Sequence, residues 1–163
     1  MNYELREMLP EDGAQVLQIF EEGIAGGNAT FDKEVPTWEY WDKNHFSACR
    51  FVAEDDNNNV VAWAALKPVS NRECFSGVAE VSIYITNSAQ GKGLGKVLLQ
   101  KLIIESEKNG FWMLQSGIFP ENIASLRVHE SLGFRTVGHR EKIGQMNGVW
   151  LDIILMERRS KTV

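Results

Sequence analysis

A chain of 163 residues is long enough to bury a core and short enough to be one domain, spanning 1–163. Its 44% hydrophobic and 24% charged residues describe a soluble globular protein, and a net charge of −5 argues against non-specific nucleic-acid binding. No apolar run reaches bilayer-spanning length, and the start Met1-Asn2-Tyr3-Glu4 lacks the basic and apolar stretches of a secretion signal, so a cytoplasmic protein is expected.

In chain order, residues 2–8 alternate weakly and predict a strand. Pro10 opens a helix with Ala14, Val16, Leu17 and Phe20 at helical spacing, ending near Gly26-Gly27. Thr30 to Pro36 reads as a loop, and Thr37 caps a second helix carrying Trp38, Trp41 and the pair His45/Phe46. Phe51–Glu54 and Val60–Leu66 flank the polar turn 55–59 and predict a β-hairpin. Val78–Thr86 is another strand, and Leu94, Val97, Leu98 and Leu102 form the apolar stripe of the helix that follows. Then come a strand Phe111–Ile118, a short helix Asn122–Leu132, and a final hairpin, Phe134–Ile143 with Val149–Met156, around Asn147-Gly148. The pattern is a mixed α/β domain. Cys49 and Cys74 sit at no metal-ligand spacing, so free thiols and no metal are expected.

Gly91, Gly93 and Gly95 fall where the strand Val78–Thr86 gives way to the next helix, with Lys92 and Lys96 between and beside them. A helix start leaves about four backbone N–H groups without partners, and its dipole favours negative charge there. Bare glycine backbone lets a phosphate or pyrophosphate approach those groups. The dinucleotide pattern G-x-G-x-x-G fails because Lys96 or Leu98 occupies the place of the third glycine. The triphosphate-binding loop fails because Gln90 and Val97 fill its first and last required positions.

The segment reads Gln90-x-x-Gly93-x-Gly95, which resembles the acyl-CoA signature Q/R-x-x-G-x-G/A of the GCN5-related N-acetyltransferases (GNAT). The resemblance spans nearly the whole chain. Asn122 through His129-Glu130 to Gly133-Phe134 is similar to the family's N-x6-Y-E-x-x-G-F segment, with histidine in place of tyrosine. Ala29-Thr30-Phe31 with Thr37, Arg72-Glu73-Cys74-Phe75 ahead of Glu80, and Gly148-Val149-Trp150-Leu151-Asp152 resemble the phosphinothricin/methionine sulfoximine acetyltransferase branch.

The resemblance implies a single α/β GNAT-type domain. Its central, mostly antiparallel twisted sheet of about seven strands, flanked by about four helices, would splay at the centre to admit pantetheine. It implies acetyl-CoA as co-substrate, with Gln90, Gly91, Lys92, Gly93, Leu94, Gly95 and Lys96 around its pyrophosphate. Ile83, Tyr84 and Ile85 would lie along the pantetheine strand, and Asn122 at a helix start beside the cofactor. A strand amide near Ile83–Ile85 would meet the charge that develops on the acetyl oxygen.

It further implies Glu80 as general base. Strand alternation puts Glu80 on one face with Ser82 and Tyr84, and Val81, Ile83 and Ile85 on the other. An ammonium cannot attack a thioester, so a carboxylate within reach, directly or through one water, must take its proton. His129 is seven residues from Asn122, on the same helix face, and is the candidate proton donor to the departing sulfur. With a thiol pKa near the ~8.5 of cysteine, that sulfur needs little help. Arg72 is the candidate clamp for a substrate carboxylate or phosphinate, and Phe31, Phe75 and Trp150 the candidate apolar walls. Many relatives carry tyrosine at Phe75, and some arginine or aspartate at Ser76, so this loop bears on which amine is used.

The expected protein is therefore a cytoplasmic N-acetyltransferase for the α-amine of a small amino-acid-like substrate, of phosphinothricin or methionine sulfoximine type. Acetylation of a polyamine, an antibiotic or a protein N-terminus is the same-class alternative, and a CoA-binding sensor without transfer activity the other. A small-molecule amine is the expected partner, with no nucleic acid and no membrane. The resemblance implies a homodimer.

Overall fold

The computed structural model describes residues 2–163. Seven strands form one sheet in the order β1-β2-β3-β4-β5-β7-β6, with every neighbouring pair antiparallel except β4–β5. The strands are β1 (Glu4–Glu7), β2 (Phe51–Glu54), β3 (Val60–Pro68), β4 (Val78–Ile85), β5 (Met113–Ile118), β6 (Arg135–Met146) and β7 (Val149–Arg159). The helices are α1 (Gly13–Gly26), α2 (Trp38–Lys43), α3 (Leu94–Lys108) and α4 (Ile123–Ser131). None is long and apolar enough to cross a membrane. The expected α/β layout, about seven strands and four helices, is what the chain forms.

β3 explains the layering. Val60 through Leu66 are all buried, which an alternating strand permits only when both faces are covered. On one face Ala62, Ala64 and Leu66 pack with Leu98, Leu99 and Leu102 of α3. On the other, Trp63 and Ala65 pack with Val16, Ile19 and Phe20 of α1 and Trp41 of α2. Each fully buried leucine contributes roughly 1.5–3 kcal/mol.

Three local expectations change. Pro10–Asp12 forms a 3-10 turn before α1 begins at Gly13, and the Asp12 carboxylate accepts the Leu9 N–H at 2.7 Å. Helix α2 stops at Lys43, so His45 and Phe46 lie beyond it. There the His45 ring, through Nδ1, occupies the Trp41 carbonyl at 2.6 Å, and the Asn44 side chain donates to the Tyr40 carbonyl at 2.7 Å. Val97 faces outward at 49% exposure, because the buried stripe of α3 runs through Leu94, Leu98, Leu99, Leu102 and Ile103.

Candidate active site

β4 and β5 are in register only at Val78–Glu80 against Met113–Gln115. Beyond that point β4 follows β3 as far as Ile85, while β5 follows β7 as far as Ile118. The edges that diverge have no ladder partner for each other, and a cavity of about 380 Å3 occupies the gap. Ser82, Ile83 and Tyr84 line one side and Ser116, Gly117 and Ile118 the other. The splay that the resemblance implied is present.

At the far end of β4 the chain passes through a 3-10 turn, Asn87–Ala89, into α3. Gly91 and Gly93 hold φ of 73° and 84°, the left-handed region that side chains disfavour. A Cβ at either would have no neighbour within 4 Å, so the turn is open to an approaching group. Gly93 caps α3 without a side-chain acceptor, which leaves the first-turn amides free. The turn is braced from behind. Gln90 Nε2 donates to the Ile85 carbonyl at 3.2 Å, Lys92 Nζ to the Ser88 carbonyl at 2.9 Å, and Glu22 accepts from the Thr86 hydroxyl and the Asn87 amide. Leu94 buries its side chain, so it offers a ligand only its amide, while Lys96 stays exposed. Gln90–Lys96 lie outside the cavity lining, beyond its β4 end. A cleft between parted strands, leading to an uncapped helix start, fits a long anionic thioester such as acetyl-CoA.

Glu80 is half-buried in the cavity wall at the last paired position of β4 and β5. Gln115 Nε2 lies 3.5 Å from its Oε2, a long contact that leaves the carboxylate free to accept elsewhere. Lys67 stands directly opposite Glu80 in the β3–β4 register and lines the same cavity. Phe31 forms a further wall: it meets Phe119 edge-on at 5.0 Å and lies over Gly144, where a Cβ would come within 2.6 Å of its ring. Asn122 caps α4 by accepting the Ser125 N–H at 3.2 Å, and its amide donates to the Asn28 carbonyl at 3.2 Å, which ties α4 to the α1–α2 segment.

Tyr84 and His129 differ from expectation in how they contribute. The Tyr84 ring stacks on Trp63 and meets Phe20 edge-on, each at 4.9 Å, on the α1 side of the sheet. Burial pushes its phenol up to about 12. The Tyr84 backbone is committed to Trp63 in the β3–β4 ladder, so it is Ile83 and Ile85 whose backbone groups face the β5 side. His129 is buried, and desolvation lowers its pKa, so the ring is neutral. Its Nδ1 lies 2.8 Å from the Ser125 carbonyl, which can only accept, so the proton sits on Nδ1. Nε2 then carries a lone pair and has no partner. In this tautomer Nε2 holds no hydrogen, so donation to a departing sulfur requires that the ring first take up a proton.

Arg72, Phe75 and Trp150 do not line the cavity. Arg72 lies 5.3 Å from the Phe75 ring in the exposed β3–β4 loop, and Trp150 is 56% exposed beside the β6–β7 turn. Conversely, the cavity contains Lys67, Asp32, Gln115 and Arg140, which sequence reasoning did not single out. The β3–β4 register that sets Lys67 against Glu80 crosses a long connection with no turn signature. Arg140 sits at the edge of a bulge in β6 between Arg140 and Gly144, where Asp152 accepts the Lys142 N–H at 2.8 Å and the His139 ring N–H at 2.7 Å. Among the described residues no group of three or more His, Cys, Asp or Glu side chains could hold a metal ion.

The family model described as "Acetyltransferase (GNAT) family" matches residues 15–134. The chain belongs to the GNAT family of acetyltransferases. A Bacillus subtilis GNAT relative, provisionally named phosphinothricin acetyltransferase YwnH, is 35% identical over 147 residues, covering 88% of this chain and 90% of that protein. The L-methionine sulfoximine/L-methionine sulfone acetyltransferase of Salmonella typhimurium is 29% identical over 90% of this chain and 88% of its own. Among solved structures, a GNAT superfamily phosphinothricin acetyltransferase from Sinorhizobium meliloti in complex with acetyl-CoA superimposes with a TM-score of 0.89 at 28% identity, covering 98% of this chain and 89% of that one.

Proposed function

We propose that this GNAT protein transfers the acetyl group of acetyl-CoA to the α-amine of a small amino-acid-like substrate of methionine sulfoximine or phosphinothricin type. The observation that carries the reading is the meeting, in one cavity, of the half-buried Glu80 carboxylate with the parted edges of β4 and β5. The amide groups of Gly91–Lys96 at the α3 start hold the pyrophosphate of the donor. The backbone amides of Ile83 and Ile85, which point away from β3 and have no β5 partner, face the acetyl oxygen as charge develops there. Asn122 keeps α4 and the α1–α2 segment together across the cavity.

The acceptor arrives as an ammonium. Glu80, directly or through one water, takes the proton, and the freed lone pair attacks the thioester carbon. The C–N bond forms as the C–S bond breaks, the sulfur leaves with that electron pair as a thiolate, and it takes up the second proton that the nitrogen sheds on becoming an amide. His129, with its proton on Nδ1 and an unpartnered lone pair at Nε2, is placed to accept a hydrogen bond rather than to donate one. Lys67, opposite Glu80, is the cation inside the cavity best placed for the α-carboxylate, with Arg140 on the facing wall. Arg72, Phe75 and Trp150 fit this reading only as outer contacts.

The same reading assigns a cytoplasmic homodimer. Exposed Phe75, Val149 and Trp150 leave apolar area that a second copy would cover, and sedimentation equilibrium measures that state.

Thiol release with acetyl-CoA and a panel of methionine sulfoximine, phosphinothricin, alanine, spermidine and a Ser-ended peptide tests the function. Release restricted to the amino acids is the expected result. Tight acetyl-CoA binding with no release on adding any amine would make the protein a CoA sensor and overturn the reading.

A further inference from the structure

Asp152 closes the segment Gly148-Val149-Trp150-Leu151-Asp152 and takes no part in the transfer steps. It stands on β7 beside the edge strand β6, whose pairing slips between Arg140, opposite Ile153, and Gly144, opposite Leu151. Glu141, Lys142 and Ile143 therefore face a single residue, Asp152. Such a bulge breaks the ladder, and Lys142 adopts φ 47°, the left-handed region that a side chain disfavours.

The Asp152 side chain offsets both penalties. Its Oδ1 accepts the Lys142 N–H at 2.8 Å, and its Oδ2 accepts the ring N–H of His139 at 2.7 Å. One carboxylate thus clasps the bulge at its strained residue and at the residue before Arg140. These contacts, the Lys142 amide first, hold the Asp152 carboxyl below the usual aspartate range, so the clasp is ionised at neutral pH.

The bulge shapes the active-site cavity. Arg140 and Ile143 are three residues apart, so a regular strand would point them to opposite faces of the sheet. Here both line the cavity, together with Ile153 and Leu155 of β7. Phe31 covers the end of the bulge at Gly144, where any side chain would strike its ring. Arg140 is exposed and has no ion pair among the described residues. An unpaired guanidinium on the wall of this cavity is free to take an acceptor carboxylate in a two-point contact.

We propose that Asp152 is a positioning residue for acceptor recognition: it fixes the β6 bulge that brings Arg140 onto the cavity wall to meet the carboxylate of the acceptor. This rests on the acetyl-transfer reading above. Asp152 itself touches no reacting atom.

The test measures kcat and KM at saturating acetyl-CoA for methionine sulfoximine and for the corresponding amine without the α-carboxylate. Asp152→Ala raises KM for the amino acid by about tenfold relative to that for the amine, the scale of one lost charged hydrogen bond, with the change carried by KM rather than kcat. Arg140→Ala has the same effect, and combining the two adds little, because they act through one contact. Asp152→Asn, whose side-chain oxygen still accepts the Lys142 N–H, keeps most of the wild-type affinity. Adding Lys142→Gly to Asp152→Ala recovers several-fold of the loss, since glycine adopts this φ without strain. A lower Tm with an unchanged KM ratio, equal losses for both acceptors, or fully additive Asp152→Ala and Arg140→Ala effects overturns the proposal. Arg140→Ala is an exposed change, so an unaltered amino-acid KM there overturns it whether or not Asp152→Ala folds. In each of these cases acetylation by the wild-type protein upholds the transfer reading. Absence of thiol release by the wild-type protein with every amine overturns both.

Discussion

The two faces of the central sheet are packed with different chemistry. On the α3 face the core is mainly aliphatic, with Leu66, Leu98, Leu99 and Leu102 fully buried beside small alanines of β3, and its buried aromatic members are the hydrocarbon rings of Phe51, Phe111 and Phe134. On the α1–α2 face it is aromatic, with Trp41, Trp63 and Phe20 buried against Tyr84. Hydrocarbon side chains interlock without polar atoms to satisfy, which suits a face that holds α3 rigid against the sheet. Indole and imidazole rings bring N–H groups and lone pairs into the core, and three of those atoms are left unpaired. In the proposed reading the donor is held from the α3 side of the sheet. Glu80 stands on β4 between the two faces.

Replacing Glu80 by alanine breaks that division most sharply. Turnover falls by about 10²- to 10⁴-fold, as expected for a lost general base, while the acetyl-CoA dissociation constant from calorimetry stays unchanged. An equal loss of donor binding would mean that the two faces are not separable. Leu98→Ala, at a position with no exposed surface, removes packing from the donor face and lowers unfolding free energy in urea by about 2–5 kcal/mol.

Two buried histidines, His45 on the aromatic face and His129 against Phe134 on the α3 face, give the stability of the fold a pH dependence. Burial lowers the His45 pKa from 6.5 to about 4. The unfolded chain therefore binds the proton first. The stability of the folded state is full above about pH 6.5 and is lost as pH falls towards about 4, by about 3 kcal/mol in all. His45→Gln flattens this part of the curve of stability against pH, and His129, lowered in the same sense, supplies a further share of the slope.

Gly93→Val sharpens the comparison from the donor side. A β-branched residue at φ 84° costs roughly 1–2 kcal/mol and obstructs the helix start, so acetyl-CoA binds at least about tenfold more weakly, with turnover at saturation largely kept. The smallest effect is that of Asn122→Ala, which removes the α4 cap for about 1 kcal/mol and loosens its tie to Asn28. Thermal unfolding measures the first consequence, and the KM of the acceptor the second.

Much of this was legible in the chain. The hairpin around Asn147-Gly148, the Thr37 and Asn122 caps and the buried stripe of α3 follow from turn chemistry and periodicity. The glycine pattern marked the open turn at the start of α3, and strand alternation put Glu80 on one face with Ser82 and Tyr84. Val97 failed because the stripe is centred on Leu98 and Leu102, which turns its neighbour outward. His45 failed because its ring competes with the helix for the Trp41 carbonyl. The sequence left the His129 tautomer open, because only the folded backbone brings the Ser125 carbonyl within 2.8 Å of Nδ1. Lys67 and Arg140 escaped notice because one depends on a register across a long loop and the other on a bulge.

The amino-acid order by itself determined which segments are helix or strand, which faces are apolar and where an anion finds bare backbone. These depend on neighbours within a turn or two, and local sterics and periodicity record them. Tertiary structure alone decided where β4 and β5 part, that Lys67 faces Glu80, and that aromatic rings from α1, α2, β3 and β4 enclose a second cavity. Those depend on contacts between residues far apart in the chain, whose geometry is set only when the two cores pack on opposite faces of one sheet.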